Sequence, residues 1–381
     1  MSDKELLELL RTLVETESVT GNEEKIVNKL EDIFVSLGFE VVKTLSGCIC
    51  GVIDSHIPGP VVLLDSHVDT VCVSDVTKWK HDPFLLTKDG DRLYGRGTSD
   101  MKGGLSAAIA SSSEFVKAIK RGKIVVSCIV EEERFEGICA REVSEIFNPD
   151  YVIICESTHC KLNIGQRGRC EILLTAEGKS CHSSNPEEGE NAVLNAIKAI
   201  EAIEELKVNE NEILGRGIMV LTDIISSPYP GMSIVPEKCF VTYDRRTLVG
   251  ETEESVIDPI NRILKEKKIK AEAKIALGKT TSYTGLTLSS PRFFPSWLYA
   301  IDSPIVQKAK KGLESANLFE GYSHYSFCTN GSHYAGERKI PTIGYGPGEE
   351  KFAHIVDEYI EEEDLYKAKH GLKSIISSLL S

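Results

Sequence analysis

Short apolar segments alternate with helical patterns along much of this chain, and this alternation constrains the fold more than any other feature. Residues 61–64, 124–130 and 151–155 are apolar runs with the length of buried strands. Helical periodicity separates them, over residues 104–120 and again over 137–146. Strands that alternate with helices in this way are typical of an α/β layered sheet, with parallel or mixed strand order.

The pattern changes near Gly168. Residues 169–176 alternate like a half-exposed strand, and residues 191–206 form one long helical pattern. This change predicts a smaller α+β domain at residues 168–286, inserted between two parts of a catalytic domain, residues 1–167 and 287–381. The expected fold class is therefore α/β, with a three-layer, mixed-sheet catalytic domain and an inserted α+β domain.

Composition limits the partners and the compartment. The 381 residues include 44 Lys and Arg against 58 Asp and Glu, and the net charge of -14 disfavours binding to nucleic-acid phosphates. We expect no membrane association, because no apolar run is long enough for a membrane span, and the first residues do not resemble a secretion signal. The 11 cysteines are scattered and mostly lie in apolar segments, which favours a reduced, cytoplasmic protein.

Acidic and histidine side chains follow the apolar segments at the points where the predicted strands end. A further aspartate lies in a Gly-rich loop at residues 95–104. The carboxyl ends of strands converge on the ligand crevice of open α/β sheets, so we expect these side chains at one edge of the sheet. The candidates are His67, Asp69, Asp100, Glu131, Glu132, Glu133, Glu156 and His354.

Two histidines with several carboxylates form a donor set for a pair of zinc ions bridged by one carboxylate. Such a site predicts hydrolysis. Asp69 is placed to accept the second imidazole N–H of His67 and so to fix its tautomer. The glutamate run supplies one carboxylate more than the metals need, and a glutamate that binds no metal is suited to act as general base. A single His-x-Asp pattern is common by chance, and a run of three glutamates at a strand end is usually a solvated turn, so the prediction depends on their joint placement.

Several motifs resemble, in order and spacing, the zinc aminoacylase and carboxypeptidase family, which includes acetylornithine deacetylase, succinyl-diaminopimelate desuccinylase and carboxypeptidase G. The resemblance covers essentially the whole chain. Residues 79–84 and 329–331 look most like a subgroup of selenium-metabolism-linked hydrolases. The family motifs are residues 66–71, residues 94–104, the pair Glu131 and Glu132, Glu156, and residues 346–348 with His354 and Glu358.

The resemblance implies a set of metal ligands. One zinc would be bound by His67, Asp100 and Glu156, and the other by Asp100, Glu132 and His354, so that Asp100 bridges them. Two Zn²⁺ ions per subunit are expected, and Co²⁺ or Mn²⁺ would be able to substitute.

The resemblance also assigns the base. Glu131 would take the proton of a metal-bridging water as hydroxide attacks an amide carbonyl, and Asp69 would orient His67. Aligning Gly137 with the glycine that follows the family's glutamate pair selects this register, and a shift by one residue within the run of three glutamates stays open.

The inserted domain resembles the family's lid and dimerisation domain. Residues 178–184 match the lid segment whose histidine reaches the partner's active site in a homodimer, which would make His182 the oxyanion donor. Arg246 matches an arginine suited to bind a substrate carboxylate. Ser233, a second candidate for substrate binding, stands where better-known members often have Asn. Asn330, in a Gly-containing loop, is a further candidate for substrate contact.

These residues predict a dizinc metallohydrolase of amino-acid metabolism that cleaves the amide bond of an N-acyl amino acid or a small peptide derivative. Within the family, Glu rather than Asp at position 156 looks more typical of deacylases and carboxypeptidases. A di- or tripeptidase of the same family is the alternative enzyme. A binding protein that retains the fold without activity is the alternative of another class, but no ligand or base is missing. The lid motif and Arg246 argue against a dinuclear phosphatase.

Overall fold

The chain forms two compact units in the computed structural model, which describes residues 1–381. The larger unit contains Met1–Gln166, Lys279–Leu288 and Trp297–Ser381, and the smaller unit contains Arg167–Gly278 and Ser289–Ser296. Most of the predicted inserted domain, residues 168–286, therefore falls in the first segment of the smaller unit.

The secondary structure consists of eight α-helices and 21 strands, besides short 3₁₀ and π segments. In chain order they are α1 (Asp3–Val14), α2 (Glu24–Leu37), β1 (Glu40–Lys43), β2 (Ile49–Asp54), β3 (Val61–His67), β4 (Thr87–Asp89), β5 (Arg92–Tyr94), α3 (Gly103–Ser113), β6 (Lys123–Ile129), α4 (Ala140–Phe147), β7 (Tyr151–Ile154), β8 (Leu162–Gln166), β9 (Gly168–Glu177), α5 (Ala192–Glu204), β10 (Glu210–Asn211), β11 (Gly215–Arg216), β12 (Ile218–Ser227), β13 (Lys238–Thr247), α6 (Glu253–Glu266), β14 (Ala271–Ile275), β15 (Leu277–Thr281), β16 (Thr287–Pro291), β17 (Phe293–Phe294), β18 (Trp297–Leu298), α7 (Pro304–Ser315), β19 (Tyr322–Tyr325), β20 (Thr342–Gly344), β21 (Tyr359–Glu361) and α8 (Glu362–Leu380).

The larger unit is built on a nine-stranded mixed sheet with the order β1-β2-β6-β3-β7-β20-β8-β18, in which β19 also pairs with β8. The four central strands β6, β3, β7 and β20 are parallel to one another. Strands β3 and β6 are buried over almost their whole length, as expected for parallel strands covered on both faces. The carboxyl ends of all four central strands therefore lie at one edge of the sheet.

The helix predicted at residues 104–120 is shorter in the structure, because α3 ends at Ser113. The hydroxyl groups of Ser111 and Ser113 donate hydrogen bonds to the carbonyl groups of Ala108 (3.0 Å) and Ala110 (2.8 Å). Such bonds compete with the helical pattern and favour its end. No helix of the structure is long and apolar enough to cross a lipid bilayer.

The smaller unit contains an antiparallel sheet with the order β12-β13-β9-β14 and two helices, α5 and α6. Strands β9 and β13 alternate between buried and partly exposed residues, and the buried side chains form a core with those of α5 and α6. Strand β12 lies at the edge of this sheet, and none of its residues is buried. The structure thus confirms the predicted α/β class with a smaller α+β unit.

Candidate metal centre

The predicted ligands lie at the carboxyl-terminal edge of the four central strands. β3 ends at His67, the run of three glutamates at residues 131–133 follows β6, and Glu156 follows β7. His354 comes after β20, at the end of a longer loop, and has a positive φ of 62°. Sheet topology therefore brings together residues that are far apart in sequence.

Asp100 reaches the same edge through the Gly-rich loop before α3. Gly97 has a φ of 86°, which favours glycine. Gly104 is required for a different reason, because a Cβ atom there would lie 1.9 Å from the carbonyl oxygen of Cys155. The start of α3 therefore contacts the backbone that follows β7, and this contact places the loop beside Glu156.

Glu358 holds the backbone of this loop and is completely buried. Its carboxylate accepts hydrogen bonds from the backbone N–H groups of Gly97 (3.0 Å), Ser99 (2.8 Å) and Asp100 (3.0 Å), and from Nη1 of Arg96 (2.6 Å). Glu358 therefore positions Asp100. The only sequence signal for this residue was its place in the family motif that also contains residues 346–348 and His354.

The first group of ligand atoms surrounds the buried imidazole of His67. Its Nε2 atom lies 2.9 Å from Oδ1 of Asp100 and 3.4 Å from Oε1 of Glu156. Its Nδ1 atom lies 2.9 Å from the backbone carbonyl oxygen of Asp69. Because a carbonyl oxygen can only accept a hydrogen bond, Nδ1 carries the proton. Nε2 is therefore the nitrogen available to a metal ion.

The Asp69 carboxylate supports the glutamates rather than His67 alone. It lies 3.6 Å from Nδ1 of His67, but it accepts hydrogen bonds from the backbone N–H groups of Glu132 (3.2 Å) and Glu133 (3.1 Å). The hydroxyl group of Thr20 donates a third bond, at 2.9 Å. Orientation of His67 thus comes mainly from the Asp69 backbone, and the side chain fixes the turn after β6.

The second group surrounds His354, whose Nε2 atom lies 3.1 Å from Oδ2 of Asp100 and 3.0 Å from Oε2 of Glu133. The two carboxylate oxygens of Asp100 thus face two different imidazoles, as expected for a bridging ligand. The glutamate beside His354 is Glu133, whereas the sequence register placed Glu132 there. The turn begins at Glu131 with a φ of 63°, and this conformation determines which glutamates reach the centre.

The other two glutamates of the run have different surroundings. Oxygen atoms of Glu132, the imidazole of His67 and Glu156 lie within 4.8 Å of one another, and Oε1 of Glu132 is buried without a hydrogen-bond partner. The carboxylate of Glu131, the predicted base, instead accepts hydrogen bonds from Arg134 (3.1 Å) and the hydroxyl group of Thr280. The geometry therefore favours the register that is shifted by one residue.

The charges of the centre are strongly coupled. Burial and the charge of Asp100 raise the pKa values of Glu133 and Glu156 to about 7 each. Hydrogen bonds to Asp100 and Glu133 raise the pKa of His354 to about 10. Burial opposes protonation of His67, but Glu156 and Asp100 outweigh this effect and raise its pKa well above the ordinary value. Without added positive charge, the negative charges of Glu133 and Glu156 are therefore unfavourable in this buried centre.

This donor set fits two divalent cations. Imidazole nitrogens and carboxylate oxygens are ligands that zinc prefers, and Asp100 presents one oxygen to each histidine. Positive ions would relieve the repulsion among the buried carboxylates. The partnerless Oε1 atom of Glu132 leaves one buried acceptor next to the ligands.

His182, the predicted oxyanion donor, lies in an exposed segment of the smaller unit. This segment bonds to the loop around Ser233: the N–H of Ser183 donates to the Ser233 carbonyl (2.9 Å), and His182 forms a bridge with Ile234. Ser233 is exposed and has a φ of 51°. The backbone N–H of Ser184 donates to Nδ1 of His182 (3.1 Å), so Nδ1 is an acceptor and the neutral ring carries its proton on Nε2.

Arg246 is partly exposed on β13, and its Nε donates to Oδ1 of Asp244 at 2.8 Å. Nε of Arg169 donates to the other oxygen of the same carboxylate at 2.8 Å. The neighbouring Arg245 is buried and pairs with Glu251 at 2.6 Å, which is a structural role. Of these two β13 arginines, Arg246 is thus the candidate for substrate binding.

Asn330 does not have the predicted position at a substrate surface. Its side chain is buried in the larger unit, where its amide oxygen accepts from the backbone N–H of Gly137 (2.7 Å) and its amide nitrogen donates to Asp65 (2.9 Å). Its position gives no support to the prediction of substrate contact, because both ends of the amide are used in hydrogen bonds within the protein.

Comparison with known proteins shows the family of the chain. The sequence profile of peptidase family M20/M25/M40 matches residues 63–378. The chain belongs to this family. A relative of this chain, the uncharacterized protein YgeY of Escherichia coli strain K12, is 30% identical over 369 residues, which cover 93% of this chain and 89% of that protein.

Two further matches come from Staphylococcus aureus. A probable succinyl-diaminopimelate desuccinylase of strain MRSA252 is 26% identical over 398 residues, which cover 96% of this chain and 95% of that protein. The crystal structure of a tripeptidase from strain Mu50 has a TM-score of 0.77 at 21% identity, and the match covers 100% of this chain and 99% of that one. The second match supports the M20/M25/M40 fold.

Membership of the M20/M25/M40 family makes this chain a metal-dependent peptidase or amidohydrolase, which acts on amide or peptide bonds. The resemblance to the zinc aminoacylase and carboxypeptidase family is thereby confirmed. The selenium-linked subgroup stays a prediction.

Proposed function

We propose that this chain is a dizinc hydrolase that releases an amino acid from an N-acyl amino acid or a small peptide derivative. The observation that carries the proposal is the carboxylate of Asp100, which presents one oxygen to His67 and the other to His354. Glu156 would complete the ligands on the side of His67, and Glu133 those on the side of His354.

The metals would supply Lewis-acid catalysis. When bound, two zinc ions, or Co²⁺ or Mn²⁺ in their place, would polarise the scissile carbonyl group and lower the pKa of a water molecule. The protein would hold the ions by side chains that are themselves fixed, since Glu358 binds the loop of Asp100 and Asp69 binds the turn of Glu133.

Glu132 is the general base in this proposal, in place of the predicted Glu131. Burial, reinforced by the neighbouring carboxylates Glu156, Glu136 and Glu133, raises its pKa well above the ordinary value of a glutamate. A carboxylate with a raised pKa accepts a proton from the attacking water and can then protonate the leaving amine nitrogen. Glu131 instead supports the turn through its bonds to Arg134 and Thr280.

His182 would stabilise the developing oxyanion by donating a hydrogen bond from Nε2–H. Its proton lies on Nε2 because Nδ1 accepts hydrogen bonds from Ser184. In this proposal the donor acts in a homodimer, at the active site of the partner subunit. The edge strand β12 is the proposed dimer contact, because it is ten residues long and exposes apolar side chains that a second copy would cover. These side chains are Ile218, Val220, Ile224 and Ile225.

Arg246 would bind the carboxylate of the amino-acid part of the substrate, with Ser233 as a shorter polar neighbour of the His182 segment. We place the enzyme in the cytoplasm. All 11 cysteines are free thiols, which suits a reducing compartment.

The proposal is tested by a hydrolysis screen with zinc-loaded protein. N-acetyl, N-succinyl and N-carbamoyl amino acids would be compared with dipeptides and tripeptides, and the Glu132→Gln variant would serve as the blank. We expect turnover of acyl amino acids by the wild type, and almost none by the variant. Comparison of each acyl amino acid with its ester then tests Arg246, since esters lack the free carboxylate and should be poor substrates.

Two results would change the proposal. Turnover confined to di- and tripeptides would assign a peptidase instead of a deacylase. No turnover of any compound, with two zinc ions bound per chain, would reject this substrate class.

A further inference from the structure

A buried amide connects strand β3 to the turn that carries the glutamates. Asn330 is 2% exposed, and its side-chain oxygen accepts a hydrogen bond from the backbone N–H of Gly137 at 2.7 Å. A backbone N–H can only donate, so the amide oxygen must face Gly137 and the amide nitrogen must face Asp65. The nitrogen donates to Oδ2 of Asp65 at 2.9 Å.

Asp65 is itself fixed on strand β3, with 2% of its surface exposed. Its Oδ1 atom accepts hydrogen bonds from the hydroxyl groups of Tyr334 (2.8 Å) and Ser127 (3.1 Å). Ser127 is the partner of Asp65 in the register of β3 with β6. Hydrogen bonds to a buried carboxylate are strong, and loss of one partner leaves a buried group unsatisfied.

The turn at residues 131–137 has an irregular backbone, with φ values of 63° at Glu131 and 76° at Gly137. Asp69 holds its first part by accepting the N–H groups of Glu132 and Glu133. Asn330 holds its last residue, Gly137, where an added Cβ atom would lie 3.0 Å from the Cβ of His333. The two glutamates thus lie in a segment that is anchored at both ends.

We propose that Asp65 and Asn330 are a pair of positioning residues, which set Glu132 and Glu133 relative to His67. Asp65 lies on β3 close before His67, and Asn330 connects it to the end of the glutamate turn. This inference rests on the proposed function, because it assigns the pair to the base and to one zinc ligand of that site. It gives Asn330 a role that does not involve contact with substrate.

An exchange of the two side chains tests the pair. In Asn330→Asp, a carboxylate faces Asp65 where an amide donor stood. In Asp65→Asn, the new amide has one oxygen: either it accepts from Tyr334 and its nitrogen faces the nitrogen of Asn330, or it accepts from Asn330 and Tyr334 loses its acceptor. The double variant restores every bond: the new amide at 65 donates to the new carboxylate at 330, which still accepts from Gly137.

The measurements are zinc affinity by chelator competition, and kcat and KM for a substrate from the screen. We expect each single variant to lose about 10–100-fold in zinc affinity and in kcat, with KM nearly unchanged, as is usual for residues that support metal ligands. We expect the double variant to recover most of both losses. Ser111→Ala is the matched control and should leave both quantities unchanged, because it removes a buried hydroxyl bond within α3 and leaves every bond of Asp65 and Asn330 in place.

Three outcomes would overturn the inference. The first is folded single variants with wild-type zinc affinity and kcat, and the second is a double variant no better than the worse single one. The third is a raised KM at unchanged zinc affinity in Asn330→Asp, which would indicate substrate contact. A wild type that binds no zinc would reject the proposed function and this inference together, whereas normal zinc binding without coupling would reject only the inference.

Circular dichroism would show whether the single variants fold. If they do not, Tyr334→Phe decides, because it loosens Asp65 and leaves both residues of the pair in place. A several-fold loss of zinc affinity in that variant supports the pair, and wild-type affinity contradicts it.

Discussion

The two units hold their candidate residues in opposite ways. In the larger unit, the imidazole of His67 is 1% exposed, and Asp100 is fixed through both its carboxylate and its backbone. In the smaller unit, His182 is exposed, and a residue of its own segment, Ser184, supplies the bonds to its imidazole. Burial and sheet topology fix the metal centre within one chain, whereas the proposed oxyanion role of His182 depends on a partner subunit.

The largest expected effect separates Glu132 from Glu131 within the buried centre. Glu132→Gln should lower kcat by about 10²–10⁴-fold, the usual contribution of a general base. Glu131→Gln should lower it by no more than about tenfold, since it weakens only hydrogen bonds to Arg134 and Thr280. Steady-state kinetics of both variants with equal zinc content would decide. The reverse order would restore the register with Glu131 as base.

The second effect concerns the exposed region. His182→Ala should lower kcat by about 10²–10³-fold, as is typical when an oxyanion donor is removed. Ser184→Ala is the matched control: it removes the hydroxyl bond to Nδ1 but keeps the backbone bond, so a loss of only a few-fold is expected. Equal losses in the two variants would contradict the donor role of Nε2.

Mixing the two inactive proteins tests whether His182 acts across the dimer. A heterodimer of His182→Ala and Glu132→Gln subunits would contain one complete site if the histidine comes from the partner. Activity should therefore return after subunit exchange. If fluorescence energy transfer shows that subunits exchange while the mixture stays inactive, His182 acts within its own chain or not at all.

A third, smaller effect should appear at the edge of the smaller unit. Lysine at Val220 and Ile224 on β12 should raise the dissociation constant of the dimer by at least about 100-fold, because facing like charges cost several kcal/mol at an interface. Sedimentation velocity over a concentration series would measure it. Val35→Lys, on an exposed position of α2, is the control and should leave assembly unchanged. A wild type that is monomeric would reject the dimer.

The sequence was sufficient to predict the edge of the sheet where ligands meet, because short apolar strands and the charged residues after them are local signals. It could not choose among three adjacent glutamates. Their roles depend on the positive φ of Glu131 and on the bonds from Asp69, which are set by tertiary contacts and leave no periodic pattern.

The sequence also misplaced Asn330 for a physical reason. A polar residue beside a glycine usually lies in an exposed loop. Here the amide is buried, and Asp65, far away in sequence, satisfies it. Buried polar networks of this kind depend on pairs of residues that only the folded chain brings together.

The smallest expected effect is on the free energy of unfolding. It is seen by comparing one glutamate from each unit. Glu23, in the larger unit, is buried beside Asp69 and Glu131, and burial raises its pKa to about 7 from the ordinary 4.5. Glu190, in the smaller unit, has its pKa lowered by Lys270 and Asn195. A raised folded-state pKa means that the native state binds more protons than the unfolded state between pH 4.5 and 7. The contribution of Glu23 to stability is therefore present at low pH and is lost as the pH rises through 7.

Glu23→Gln removes this titration, so the variant should gain on the order of 2 kcal/mol relative to wild type between pH 4.5 and pH 8. Both tryptophans, Trp79 and Trp297, lie in the larger unit, so urea unfolding followed by their fluorescence reports on that unit. Glu190→Gln should behave differently, because a lowered pKa gives stability that is lost only as the pH falls below about 4.5. A difference between Glu23→Gln and wild type that stays constant from pH 4.5 to 8 would show that the buried carboxylate is already ionised at low pH. The larger unit would then tolerate charge near Asp69 as readily as the smaller unit does at its surface.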